Sequence, residues 1–406
     1  MTEEKKKKGN FPNLRFPGFE GEWEVKKLGD IADKVNSGKT PLGGEAVYTK
    51  EGVLFIRSQN VNNDKLELDN SVFISEEINR QMKNSIVQSN DILLNITGAS
   101  LGRSCVVPDN FERGNVNQHV CIVRLKKQYN PRFVQPLFSS NKGQIIFTNL
   151  RTGSGREGLT FESIKSIKIS IPFCDEQQKI ASFLSLIDKR ITTQSKIIEK
   201  YESLIKGIVD FHFKSCKHKT YSIKELGEYF NVMNLSKENL SATGNECILY
   251  GELFTTYGCV VDEIKSRTTK KDCKLTLSSN VDLLFPSSTT VNAHSLISPS
   301  AILKEGVILG GDMFGIHINE NFNNEYLSYL FNYIYKSELS KYAKGSTIIH
   351  LHYNEIRNAK IEVPSLEEQK KVVKILRLLQ KKLTIESTLL HTYLKQKNIL
   401  LQQLFI

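Results

Sequence analysis

Cysteines are few and scattered: no two of the seven, at positions 105, 121, 174, 216, 247, 259 and 273, lie within four residues of each other. That spacing removes zinc ribbons and fingers, and an odd count argues against a closed disulfide framework. Reduced thiols used mainly for packing, in a cytosolic protein, are the expectation. Long apolar runs are also missing, and none approaches the roughly 18 residues needed to cross a bilayer. Lys5 to Lys8 have no apolar stretch behind them, so the N-terminus is not expected to act as a secretion signal. Acidic side chains are in deficit. Forty-four Asp and Glu face 55 Lys and Arg, a net charge of +11 that favours an acidic partner such as nucleic acid.

What the sequence does have is length for two or three domains, 406 residues, and it says the same thing twice. The segment from Phe161 through Ile169-Ser170-Ile171-Pro172 returns 192 residues later as Tyr353 through Ile361-Glu362-Val363-Pro364. Gly153-Ser154 matches Gly345-Ser346 at the same offset, and Asp175-Glu176-Gln177-Gln178-Lys179-Ile180 matches Glu367-Glu368-Gln369-Lys370-Lys371-Val372. Nearer the start, Trp23 through Leu28-Gly29 resembles Tyr221 through Leu226-Gly227, now 198 apart. One scaffold carries two different inserts.

Each unit closes with a heptad pattern. Ile180, Leu184, Ile187, Ile191, Gln194, Ile198, Tyr201, Ile205 and Ile208 alternate by four and three, as do Val372, Leu376, Leu379, Leu383, Glu386, Leu390, Tyr393, Lys397 and Leu400. Such narrow stripes predict two long helices paired antiparallel with each other, with pairing to another chain as the alternative. Each is opened by a proline and an acidic pair, with an S-x-x-E box at Ser365 and Glu368. Lys397 on the second stripe predicts an end that frays or faces solvent. The remaining sequence reads as α+β, with short strands such as Val53–Ile56 and helices over Arg132–Asn149 and Asn324–Tyr342. The expected boundaries are a basic lead-in at 1–19, domains at 20–172 and 220–364, long helices at 173–213 and 365–406, and a linker at 214–219.

Chemistry-bearing motifs are weak. Ser37-Gly38-Lys39-Thr40 mimics the end of a phosphate loop, but Asp33 stands where that motif requires glycine. Asn130-Pro131-Arg132-Phe133 is the nearest approach to an adenine-methyltransferase N-P-P-[YF] segment, with Arg in place of the second proline and no cofactor fingerprint. His350-Leu351-His352 sets two imidazoles on one face of a strand without further ligands beside them, so no metal site is expected.

The repeated order of variable domain, I-x-[IV]-P strand end, acid-Glu-Gln helix start and heptad helix resembles the specificity subunits of Type I restriction–modification systems. Gly158-Leu159-Thr160-Phe161, Asn95 through Arg103 and Asn115 through His119 carry the likeness further. The resemblance implies an α+β fold of two tandem target recognition domains (mixed sheet plus helices) joined by two long antiparallel coiled-coil helices in a pseudo-twofold repeat. It also implies a non-catalytic reader of bipartite double-stranded DNA with no cofactor of its own. Two modification subunits with S-adenosylmethionine would dock on the helices, with restriction subunits using ATP and Mg. Half-site centres about one helical turn apart let both domains meet one face of the duplex.

Reading bases asks for Arg, Asn, Gln, Ser and Thr on loops, with Lys and Arg on phosphates. The first domain offers Lys39; Arg57, Ser58, Gln59 and Asn60; Thr97, Ser100 and Arg103; Asn117, Gln118 and His119; and Ser154 with Arg156. The second offers Ser288, Thr289, His294, Ser346 and Thr347. Ile180, Leu184, Ile187, Ile191, Ile198, Tyr201, Val372, Leu376, Leu379, Leu383, Leu390 and Tyr393 are the expected subunit-interface residues of the helices. A stand-alone DNA-modifying enzyme and a coiled-coil scaffold without DNA affinity are the alternatives.

Overall fold

A computed structural model describes residues 9–62, 64–152, 157–232, 235–271 and 274–405. Its backbone divides into two compact units, 1–195 with 388–406 and 196–387. The units are not consecutive in sequence. The first long helix, Cys174–Ser215, begins in unit 1 and ends in unit 2, and the second, Leu366–Leu404, begins in unit 2 and ends in unit 1.

Unit 1 holds an antiparallel sheet in which Val120–Leu125 lies between Ala32–Ser37 and Ile92–Asn95, with Ser104–Val106 at the edge. A second sheet centres on Val53–Ile56 and Gly114–Val116, which run parallel. Unit 2 repeats both. Met313–Ile318 lies between Gly227–Asn231 and Asp282–Pro286, and Asn245–Leu249 runs parallel to Ile308–Gly310. The inserts that differ in sequence therefore share a topology, because short apolar strands buried on both faces specify the sheets while the loops stay free to vary.

In unit 1 the strand Glu24–Lys27 pairs with Lys168–Ile171, and in unit 2 His218–Ser222 pairs with Lys360–Pro364. Two backbone bonds fix the equivalence: Leu28 N–H donates to Ile167 O and Ile223 N–H to Ala359 O. Leu28 thus corresponds to Ile223 at an offset of 195, one helical turn away from the 198 that residue likeness gives. The long helix to Ser215 and the strand from His218 together absorb the expected linker down to residues 216 and 217.

The expected domain helices are each interrupted. Pro131–Ser139 and Asn141–Leu150 meet at Ser140, whose extended backbone lets its hydroxyl cap Gly143 N. Asn324–Tyr333 is followed by the short Lys336–Leu339 and a 3-10 turn. Asn130 and Asn323 cap the leading helices, so the Asn-Pro pair at 130–131 is a helix start, with Phe133 buried in the core.

A buried glutamine ties each long helix to its domain. Gln177 donates to Pro172 O and accepts from Asn130 N, both at 2.9 Å; Gln369 does the same to Pro364 O and Asn323 N, both at 2.8 Å. At the neighbouring position Glu176 is held by both arms of Arg15 at 2.8 Å. Arg15, Leu14 N–H on Gln403 O, and Phe16 against Phe183 place residues 14–16 within the fold of unit 1 rather than in a lead-in. The box at Ser365 is half made: Glu368 N reaches Ser365 Oγ at 3.5 Å.

Both ends of each helix sink into domain cores. Ile180 and Leu184 pack with Leu401, Leu404, Phe405 and Phe133 in unit 1, while Ile205, Val209, Val372 and Leu376 share one core in unit 2. Ile187, Ile191, Ile198, Tyr201, Leu379, Leu383, Leu390 and Tyr393 are half-buried, as a narrow two-helix seam requires. The helix segments within each unit run antiparallel. Asp188 meets Lys397 and Arg190 covers the Tyr393 ring in unit 1, and His212 faces Glu368 in unit 2. Lys397 does not fray. It is 13% exposed and clamped between Asp64 at 2.8 Å and Asp188 at 2.7 Å.

One pair of equivalent buried acids differs between the units. Asp91 accepts from Gln88 N and from both arms of Arg124, whereas Asp282 accepts from Ser279 N and faces His317. Burial raises the Asp282 carboxyl above its ordinary range, against the pull of the Ser279 amide and His317. A raised acid favours the folded state at low pH and loses that benefit as pH rises through its folded value. His317→Arg should therefore stabilise unit 2 by on the order of 1 kcal/mol above neutrality, by setting a permanent cation against the ionised carboxylate. Melting curves across pH test it, and a variant that melts lower above neutrality would contradict the assignment.

Candidate nucleic-acid interface

Strand direction gathers four segments at one end of unit 1. Val53–Ile56 and Gly114–Val116 are parallel, so residues 57–60 and 117–119 leave the sheet side by side, with Asn117 N–H donating to Ile56 O. Val120–Leu125 is antiparallel to its neighbours, which brings the residues after Ile92–Asn95 and after Ala32–Ser37 to the same edge. Gly38 makes that convergence possible, since a Cβ there would stand 1.6 Å from Val116 O.

Side chains knit these segments together. Thr97 Oγ1 and His119 Nδ1 lie 2.6 Å apart, Gln118 Nε2 lies 3.2 Å from His119 Nε2, and Thr40 donates to Gln118 Oε1. Arg57 sits over the Tyr48 ring at 5.7 Å, and its Nη2 reaches Asn70 O at 3.4 Å. Arg103 donates to Asn62 Oδ1 at 3.1 Å. Lys39 is exposed beside Arg80 and Lys83 on a groove of about 380 Å³. The next element after Lys39 is the 3-10 turn Gly44–Val47, without the helix a phosphate loop needs.

The candidates divide by burial. Lys39, Gln59, Arg103 and Gln118 are exposed, and Arg57, Ser58, Thr97, Ser100 and His119 are half-exposed. Asn60 is a correction: it is 2% exposed, accepts from Arg57 N and donates to Glu67 O, so it shapes the loop and cannot read a base. Asn117 is largely buried with its Oδ1 taken by His119 N. Ser154 and Arg156 lie outside the described residues.

Unit 2 has the same edge with different side chains. Thr97 bridges Gly158 in unit 1, and at the corresponding place Ser288 pairs with His350, 192 residues beyond Gly158. Ser288 is buried there, another correction, and Thr289 is half-buried. Ser346 and Thr347 are exposed on the turn closed by Lys344 and His350. His294 is exposed on the short helix Ala293–Leu296, 3.3 Å from Ser337 Oγ.

Tyr250 stands where Arg57 stands in unit 1, following the parallel strand, and Gly311 packs beneath it with φ +86°, where a Cβ would meet the ring at 2.6 Å. Asp312 lies 3.8 Å from His350, whose ring stacks on His352 at 5.9 Å. Residue likeness misses Tyr250, Asp312 and Thr40. Their position just after core strands is the signal that finds them.

The cysteines are unpaired, among those described. Burial pushes the thiols of Cys121 and Cys259 up to about 12 and that of Cys247 to about 11, as packing groups rather than nucleophiles. No described helix is long and apolar enough to cross a membrane.

Comparison with known proteins gives a consistent result. The family model for the Type I restriction modification DNA specificity domain matches twice, at residues 20–203 and 217–392. A putative type I restriction enzyme MjaX specificity subunit of Methanocaldococcus jannaschii is 22% identical, covering 91% of this chain and 90% of its own. The MjaVIII specificity subunit of the same organism is 25% identical over 90% of this chain and 87% of its own. The solved S subunit of a Type I restriction–modification system from M. genitalium shares the fold, with a TM-score of 0.61, 16% identity, and 97% and 99% of the two chains covered.

Proposed function

Because this chain belongs to the Type I restriction–modification specificity subunits, the non-catalytic DNA-recognition components of those systems, we propose that the loop edge of each unit reads one half of a bipartite duplex site. In unit 1, Arg57, Gln59, Thr97, Gln118 and His119 face bases, and Lys39, Arg80, Lys83 and Arg103 face phosphates. In unit 2, Tyr250, Thr289, Ser346, Thr347 and His350 take the first role. One observation carries this reading: the same strand ends converge in both units, and the side chains they present differ. Conserved topology with exchanged polar termini is what two readers of different sequences require.

The helices supply the docking surface. Outside the seam they leave apolar side chains exposed: Leu186, Leu394 and Ile399 in unit 1, and Leu204, Phe211, Ile375, Leu378 and Ile385 in unit 2. Modification subunits carrying S-adenosylmethionine bind here, and restriction subunits bring ATP and Mg, all in the cytoplasm. The modified adenine is flipped from the stack into the partner's pocket while this chain holds the distorted duplex.

Arg57→Ala should weaken binding of the assembled complex to its own target by about 1–3 kcal/mol and relax the preference at one position. Sequencing methylated adenines in a host carrying the chain identifies that target, and binding is then measured on matched duplexes. Unchanged affinity and an unchanged methylation pattern would remove Arg57 from the site. Binding should also fall with salt by roughly 0.9 log unit per log unit for each phosphate neutralised.

A further inference from the structure

Unit 2 contains a cluster that the DNA-reading role leaves unused. His212 and Cys216 stand one turn apart at the end of the first long helix, and Glu368 stands in the first turn of the second. Cys216 Sγ is 3.6 Å from His212 Nε2 and 4.0 Å from Glu368 Oε2, and His212 Nε2 is 3.9 Å from that same oxygen. Lys371 holds the other carboxylate oxygen at 2.7 Å and leaves Oε2 turned toward the imidazole and thiol.

The internal repeat makes this cluster conspicuous. At the equivalent place in unit 1, Glu176 is neutralised by the paired arms of Arg15. Leu404, the counterpart of His212 at the 192 offset, is 1% exposed in the hydrophobic core. Unit 2 has an imidazole in place of that apolar contact, with the Cys216 thiol beside it. Such an exchange costs desolvation and returns little unless the new groups hold something. His212 Nδ1 is itself buried without a partner among the described residues.

We propose that His212, Cys216 and Glu368 bind a divalent zinc-class cation that clips the end of the first long helix to the start of the second within unit 2. Bond lengths of about 2.0–2.3 Å in a tetrahedral site put ligand atoms about 3.3–3.6 Å apart, so closure needs movements of a few tenths of an ångström. Binding displaces the thiol proton to solvent. The dication then sits against one thiolate and one carboxylate, an electrically balanced set, with water in the fourth position. Imidazole with thiolate selects zinc or cobalt over magnesium or calcium. The clip is structural, holding the region where strands His218–Ser222 and Lys360–Pro364 pair.

The test uses the full chain, stripped with chelator and kept reduced, titrated with cobalt(II). One equivalent should produce the visible bands of tetrahedral cobalt and a thiolate-to-metal charge-transfer band, and zinc should displace it and raise the melting temperature. Cys216→Ser should abolish the charge-transfer band. His212→Ala and Glu368→Gln should each weaken affinity by about tenfold or more. Cys174→Ser, at an exposed cysteine in unit 1, should change neither. Circular dichroism of the metal-free variants separates loss of binding from loss of fold. Absence of the band in the parent chain, or its persistence in folded Cys216→Ser, would overturn the proposal.

Discussion

Lys397→Met is expected to destabilise unit 1 by about 3–5 kcal/mol, the scale for removing one partner of a buried ion pair. Its ammonium lies between Asp64 and Asp188, and Asp64 also accepts from Gln135 at 2.8 Å and from Ser139. Methionine fills the same volume but leaves two carboxylates facing each other without a cation. Burial alone would push Lys397 down, yet Asp64 and Asp188 together outweigh it and hold its pKa above the ordinary value. Burial likewise pushes Asp64 up, and Lys397, Ser139 and Gln135 together bring it below its ordinary range.

The signs give the pH window. A depressed acid contributes stability that is present above its unfolded pKa and lost as pH falls through the folded one. A raised lysine contributes below its unfolded pKa and loses that contribution as pH rises through the folded one. The clamp therefore contributes fully from about pH 4 to about pH 10, and its contribution declines progressively beyond each end. Denaturant unfolding with hydrogen exchange on residues 388–404 checks the loss. Combining Lys397→Met with Asp64→Asn should recover part of it, because one orphaned charge has gone. A single variant as stable as the parent would show the clamp to be energetically idle.

Gln369→Leu is the second large effect, at about 2–5 kcal/mol in unit 2. It leaves the Pro364 carbonyl and the Asn323 amide buried without partners, each costing about 1–3 kcal/mol. Gln177→Leu should do the same in unit 1. Gln369→Glu keeps the acceptor and loses the donor, so its cost should include charge burial and grow as the carboxyl ionises with rising pH. Measured separately by unfolding, equal losses for the two leucine variants would show that the repeat conserves an energetic device as well as a motif. If neither variant loses more than about 1 kcal/mol, the glutamines are not the ties described here.

Much of this could be seen without coordinates. The heptad stripes, the duplicated I-x-[IV]-P ends and the acidic helix starts are periodic or local signals, and local signals survive in one dimension. Lys397 misled for a related reason. A charged residue on an apolar stripe looks like an exposed end unless its partner is known, and Asp64 lies 333 residues away. Asn60 misled similarly, because a polar loop residue and a loop-shaping buried amide have the same letter. The offset near the N-terminus slipped by one turn because apolar residues recur there at helical spacing. Only backbone bonds to residues 167 and 359 fix the register.

Composition and periodicity by themselves determined the twofold plan, the two long helices and the basic, polar-looped α+β inserts, because each follows from which residues recur and at what interval. Tertiary structure alone decided that the inserts share one sheet topology, which loop ends meet, that Lys397 is clamped, and that His212, Cys216 and Glu368 lie within reach of one ion. Those facts depend on pairings between residues far apart in the chain. Such pairings arise from strand direction and packing, which no local pattern encodes.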